Sequence, residues 1–264
     1  MRRVGAANHV EVADRAGGSL MEVSTRAVAT SAVAALVAVA AYLGEAPVVG
    51  LAVALALVFA VGWPQLVDLP ARLGASIVIA IGGAGAVAAI AATVGEPFLR
   101  ALPLVFALAI VLGFVTELLR RDGRERLVES VSGVVAGVLV ASSAAGWVAA
   151  GRTPGGLPLV VTGAVALAVC SGVSALPVAG WGGAFLTLLA AAGAGAGAAL
   201  LVPTIEPQAG GLIGLAVGIL IATLQELFTQ LPSLTRPWAS VAAIALPVTV
   251  TGILVYVVGR VLVG

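Results

Sequence analysis

The chain has 264 residues, 61% of them hydrophobic and only 9% charged, with a net charge of +1 and a mean hydropathy of +1.18. Soluble domains carry roughly 25% charged residues, and no water-soluble fold can hide this much apolar surface in one core. A soluble globular protein is therefore excluded, and the small net charge, with no aromatic-interleaved basic surface, leaves no case for a nucleic-acid partner.

Residues 1–26 carry Arg2, Arg3, Glu11, Asp14, Arg15 and Glu22 and lack an apolar centre. They read as a polar, disordered tail rather than a secretory leader, whose short apolar region should be soon followed by a cleavage site. From there 27–264 read as one transmembrane domain. Crossing about 30 Å of hydrocarbon takes roughly 20 mostly apolar residues. Nine runs qualify, at 27–43, 47–67, 74–94, 101–119, 130–149, 157–178, 182–202, 210–228 and 239–262. They must be helices, because in lipid the backbone has to satisfy its own hydrogen bonds, and they lack the ten-residue alternation of a membrane β-barrel. The expected fold class is an all-α polytopic helix bundle.

Arginine sets the orientation. With the N-terminus cytoplasmic, that side collects Arg2, Arg3, Arg15, Arg26, Arg72, Arg120, Arg121, Arg124, Arg126 and Arg236. The other side keeps Arg100, Arg152 and Arg260, and all loops are short, as the positive-inside rule requires. Trp63, Trp181 and Trp238 fall at cytoplasmic span ends, and Tyr42, Trp147 and Tyr256 at or near external ones, the headgroup levels that amphipathic rings prefer.

The external turns share a pattern: Gly44-Glu45-Ala46-Pro47, Gly95-Glu96-Pro97, Arg152-Thr153-Pro154 and Ile205-Glu206-Pro207, with prolines spaced by 50, 57 and 53 residues. The match is closest between 83–152 and 193–260. There Gly83 and Gly85 align with Gly193 and Gly195, Glu96-Pro97 with Glu206-Pro207, Glu117-Leu118 with Glu226-Leu227, and Gly151-Arg152 with Gly259-Arg260. Two readings stand: a parallel internal repeat, as transporters contain, or a chance alignment of Ala/Gly/Val-rich helices.

Intramembrane carboxylates are costly and so are functional candidates. Glu117 and Glu226 lie deepest, each within about a turn of the cytoplasmic end of its span; they either handle a cation or proton or snorkel to pair with arginines such as Arg120, Arg121 or Arg236. No charge lies in the middle third of any span, where ion-coupled carriers usually keep one. The interior offers Ser142, Ser143, Ser171, Ser174, Thr187, Thr223, Thr249 and Thr251, hydroxyls that mostly bond back to the preceding turn. Pro247, followed by Thr249 and Thr251, should kink the last span, as a hinge or as an ordinary packing break. Gly133 with Gly137, Gly193 with Gly197, and Gly214 with Gly218 have the spacing that brings helices close, within the chain or between two copies.

The most charged stretch is Arg120-Arg121-Asp122-Gly123-Arg124-Glu125-Arg126, in which Arg120, Arg121, Arg124 and Arg126 would meet anionic lipid or a protein partner. In composition it resembles the cytoplasmic loop of major-facilitator carriers, although the chain is too short and has too few spans for that fold. It also resembles loops of uncharacterised multi-pass integral membrane proteins of high-GC Gram-positive bacteria, and all thirteen basic residues being arginine fits such a genome. That resemblance covers about a dozen residues and implies a bacterial plasma membrane but no activity.

Enzyme signatures are missing: there is no Walker loop and no His-Glu-x-x-His, and Asp68 is the best isolated loop carboxylate. With His9 and Cys170 as the single His and Cys, no metal site or cofactor is expected. The expectation is a non-enzymatic, permease-like protein that binds or moves a small neutral or amphipathic molecule. The alternative is a non-catalytic subunit or scaffold of a cell-envelope complex. The expected partners are the lipid bilayer and a second copy or another membrane protein.

Overall fold

The computed structural model describes residues 24–120, 126–176, 178, 180–202 and 204–262. Among them there is no strand, and nine helices are long and apolar enough to cross a membrane. These are α1 (Ser24–Leu43), α2 (Glu45–Leu66), α3 (Arg72–Ala92), α4 (Leu102–Leu118, extended by a 3₁₀ turn at Phe98–Ala101), α5 with α6, α7 (Gly156–Val173), α8 (Trp181–Leu201), α9 (Pro207–Thr229) and α10 (Pro237–Leu262). The protein is thus a membrane-embedded bundle of nine spans. Residues 1–23 of the polar tail, Arg121 and Arg124 lie outside the described residues; the first helix begins at Ser24, three residues before the apolar run.

The fifth span is two helices, α5 (Leu127–Ser143) and α6 (Ala145–Gly151), where the sequence suggested one. The ladder shortens to three-residue steps there, with Ala144 N–H donating to Ala141 O and Trp147 N–H to Ala144 O, both at 3.2 Å. The cause lies across the interface. A Cβ on Gly146 would collide with the backbone of Gly252 and Ile253, so α6 and α10 touch main chain to main chain.

α10 runs through the middle of the bundle. Its buried face, from Ala239 through Val248 to Val255, packs on α2 at Gly62, on α6 at Gly146, and on α7, where Gly163 admits Val255 and Gly259 admits Leu159. α1 joins from outside: Thr30 donates to Ile244 O (3.3 Å) and Ser31 to Ala168 O (2.7 Å). α8 and α9 form a hairpin whose facing stripes are Ala191, Gly195 and Ala199 against Gly210, Gly214 and Gly218. The Gly193–Gly197 pair on α8 has no neighbouring atoms and faces outward, so the helix packs on the stripe two residues away in register. α4 is the most lipid-facing span, exposing Leu104, Leu108, Val111 and Phe114.

Ion pairs between distant helices join residues of one predicted face, which supports the alternating topology. At the face opposite the arginine-rich one Arg260 holds Glu96 through two bonds of 2.7 and 2.6 Å. Arg152 bonds Glu45 through Nε (2.7 Å) and Nη2 and also caps α3, donating to the carbonyls of Ile90 (2.6 Å), Ala91 (2.7 Å) and Thr93 (3.0 Å). At the arginine-rich face Asp68, in left-handed backbone conformation with φ of 53°, receives Arg236 (2.8 Å), Arg72 (3.5 Å) and Arg126 (3.8 Å).

The aromatic reading needs correction at three positions. Trp147 is buried and donates to Val248 O (2.8 Å), and Tyr256 is buried in the same core. Trp63 is half-buried and donates to Gly133 O (2.8 Å). The rings that do face outward are Tyr42, Trp181 and Trp238.

Candidate functional site

One large cavity, of about 910 Å³, lies between α1, the last turns of α7 and α9, the first turns of α8 and the first half of α10. All those helix ends belong to the arginine-rich face. Its volume is within the roughly 300–1,000 Å³ of ordinary ligand pockets. Toward the opposite face the same helices close on each other through the Gly163–Val255, Gly259–Leu159 and α8–α9 stripe contacts, so the cavity belongs to one side only.

Its wall is mixed. Ala27, Val173, Leu186, Ile221, Leu224 and Phe228 supply apolar surface. The polar part consists of Arg26 and Thr30 on α1, Ser171 and Ser174 at the end of α7, Thr187 on α8, and Thr223, Gln225, Glu226 and Thr229 on α9. Most of these hydroxyls donate to the backbone, for example Ser174 to Ser171 O (2.6 Å), Thr187 to Gly183 O (2.9 Å) and Thr223 to Ile219 O (2.8 Å). Their oxygens remain available as acceptors. Ser171 differs, because its hydroxyl is buried and has no hydrogen-bond partner among the described residues. A buried polar group in that state costs free energy unless something meets it.

Pro247 lies on this wall together with Ala243. Lacking an N–H, it leaves the Ala243 carbonyl without its donor one turn on. Thr249 and Thr251 do not reach the cavity. Both are fully buried and serve the kink itself, Thr249 bonding Leu246 O (2.8 Å) and Thr251 bonding Pro247 O (2.7 Å).

The two carboxylates singled out from the sequence part company. Glu117 is 4% exposed at the end of α4; Arg120 Nη1 lies 2.7 Å from one of its oxygens, and the Ser130 hydroxyl donates to the other at 2.5 Å. It ties α4 to α5 and lines no cavity. Glu226 is exposed and lines the large one. Arg126, also in left-handed conformation, holds Glu129 at 2.6 Å and leans toward Asp68. The carboxyl of Asp68 is held below the usual carboxylate range by its hydrogen bond and charge contact with Arg236, and Glu96 likewise by Arg260.

Arg26, Thr30, Gln225 and Thr229 belong to this wall and were not foreseen as site residues. Arg26 counted only toward orientation. A usable signal was present for one of them, since Gln225-Glu226 is the only adjacent polar pair within the apolar run 210–228. No family model matches the chain, and no curated protein or solved structure matches it either.

Proposed function

We propose that the chain is a permease-like protein of a bacterial plasma membrane, which takes up a small neutral or amphipathic molecule in the cavity between α1, α7, α8, α9 and α10. The one-sided cavity carries the reading: it is walled by Ser171, Ser174, Thr187 and Thr223, opens at the arginine-rich face, and borders the Pro247 kink of the central helix. A kinked helix with a lost backbone hydrogen bond is a natural place for bending during alternating access, and the small-residue contacts at the other face are the ones that would have to part.

Thiol accessibility tests this in a Cys170→Ala background. A membrane-impermeant thiol reagent should modify Thr187→Cys from the cytoplasmic side of vesicles, and more slowly from the external side. Modification from the cytoplasmic side alone would leave a binding protein and remove transport. Modification from neither side would remove the cavity reading.

The second reading, a non-catalytic subunit or scaffold of a cell-envelope complex, is favoured by the open Gly193–Gly197 stripe, against which another helix could pack closely. Native mass spectrometry of protein purified gently from its own membrane separates the two: a stoichiometric protein partner favours the subunit, a retained small molecule or lipid the permease.

A further inference from the structure

We infer that the ligand of this cavity is a zwitterion, an ammonium joined to a phosphate or carboxylate, with Glu226 meeting the ammonium and Arg26 the anion. The inference rests on the ligand-binding reading above and gives it a substrate class.

The observation is a pair of opposite charges left over. Arg26 in the first turns of α1 and Glu226 near the end of α9 both line the cavity. Among the described residues neither side chain makes an ion pair or a hydrogen bond, to each other or to anything else. The other described arginines of this face behave differently: Arg72 and Arg236 hold Asp68, Arg120 holds Glu117, and Arg126 holds Glu129. The fold therefore pairs its charges here wherever a partner is in reach, and leaves one cation and one anion standing at the same cavity. Gln225, beside Glu226 on the wall, also has no hydrogen-bond partner among the described residues.

Charge complementarity selects the occupant. A purely anionic ligand would satisfy Arg26 but meet repulsion from Glu226, and a purely cationic one would do the reverse. An uncharged ligand would leave both groups to water, losing the charge-assisted hydrogen bonds that make such contacts strong. A zwitterion satisfies both and stays neutral overall, which agrees with a cavity lining that holds no other charged group among the described residues. Deeper in the wall, Ile221, Leu224, Leu186 and Ala243 offer apolar surface to whatever the headgroup carries, and the Ser171 hydroxyl and Ala243 carbonyl offer one polar contact each. The chemistry fits a phosphatidylethanolamine-type lipid entering from the bilayer as well as a free zwitterion such as an amino acid.

The test is native mass spectrometry of the full chain offered equal phosphatidylethanolamine and phosphatidylglycerol. Wild type should retain the zwitterionic lipid in preference by roughly tenfold, the scale of one charge-assisted contact. Glu226→Gln should move retention toward phosphatidylglycerol, Arg26→Gln should weaken both, and Glu226→Asp should restore the original preference. Soluble glycerophosphoethanolamine and alanine serve as competitors. Displacement by either places the ligand in water, and failure of both to displace bound lipid places it in the bilayer; each result supports a zwitterion. Equal retention of the two lipids by wild type, with no binding of either competitor, overturns the inference, as does a preference that neither charge variant alters. Thr187→Trp, checked for a monodisperse gel-filtration peak, separates this failure from the larger one. If it abolishes retention while the charge variants change nothing, the cavity binds but its ligand is no zwitterion. If it too changes nothing, the binding reading falls with it.

Discussion

Glu117 and Glu226 are both followed by leucine and both lie near the arginine-rich end of a span, yet they occupy opposite kinds of surroundings. Around Glu117 the chain closes on itself: α4 and α5 meet, Arg120 supplies a guanidinium and Ser130 a hydroxyl, and water is excluded. Around Glu226 the helices part, and the carboxylate stands at a cavity with an arginine on another helix that has no partner among the described residues. Matched positions along the two stretches therefore share their depth but not their neighbours. The same holds for the glycines, since Gly83 packs against Ala141 and Ala56 while its counterpart Gly193 touches nothing. One region is built to be stable and the other to be open.

Substitution should expose that difference most strongly at the carboxylates. Removing one member of a buried ion pair costs about 3–5 kcal/mol, so Glu117→Ala should lower the thermal midpoint in detergent by many degrees. Glu226→Ala should shift stability by no more than about 0.5 kcal/mol, as exposed sites do, and change ligand retention instead. Equal losses at both would erase the contrast.

The glycines of the α8–α9 hairpin sharpen it at the next level. A Cβ on Gly214 would strike the Ala191 carbonyl, and one on Gly193 would meet nothing. Overpacking of this kind costs about 1–3 kcal/mol, so Gly214→Ala should loosen the hairpin. Gly193→Ala should be neutral or stabilise by up to about 1 kcal/mol through helix propensity. If Gly193→Ala instead breaks a complex seen by native mass spectrometry, the outward stripe is an interface.

The nine spans and their order were legible because lipid imposes one rule on every segment, namely length and apolarity. The break between α5 and α6 was not legible, because it comes from the approach of α10 at Gly146, more than a hundred residues away in sequence. The burial of Trp147 was hidden for the same reason, since its partner is a backbone carbonyl on α10. The site was legible in fragments: Glu226, Pro247 and four of the hydroxyls were picked out, but so were Glu117, Thr249 and Thr251, which serve packing. In a helix that is apolar all round, periodicity cannot say which polar residue faces a neighbour and which faces a cavity. Arg26 escaped because an arginine at a span end has an ordinary topogenic explanation.

The external clamps come next in size. Arg152→Gln takes away the Glu45 pair and three carbonyl contacts at the end of α3 from a mostly buried guanidinium, a loss of about 1–3 kcal/mol. Arg260→Gln removes only the half-exposed pair with Glu96 and should cost less, since solvent screens such pairs. Hydrogen exchange should show the end of α3 fraying in the first variant and not in the second.

The smallest effect expected is an acid dependence that belongs to the loops. Asp68 has a carboxyl depressed below its ordinary value, first by the hydrogen bond from Arg236 and then by that arginine's charge. A depressed folded value means that the ionised form is favoured by folding. The stabilisation is therefore present above the ordinary aspartate pKa of about 3.9 and is lost as pH falls through the lower folded value. Glu96 contributes with the same sign through Arg260. Thermal midpoints measured from pH 7 downward should stay level until the ordinary carboxylate range and then drop, and Asp68→Asn should flatten part of that drop while lowering the plateau slightly. A wild-type midpoint that fell already between pH 7 and 5 would point to a group other than these clamps.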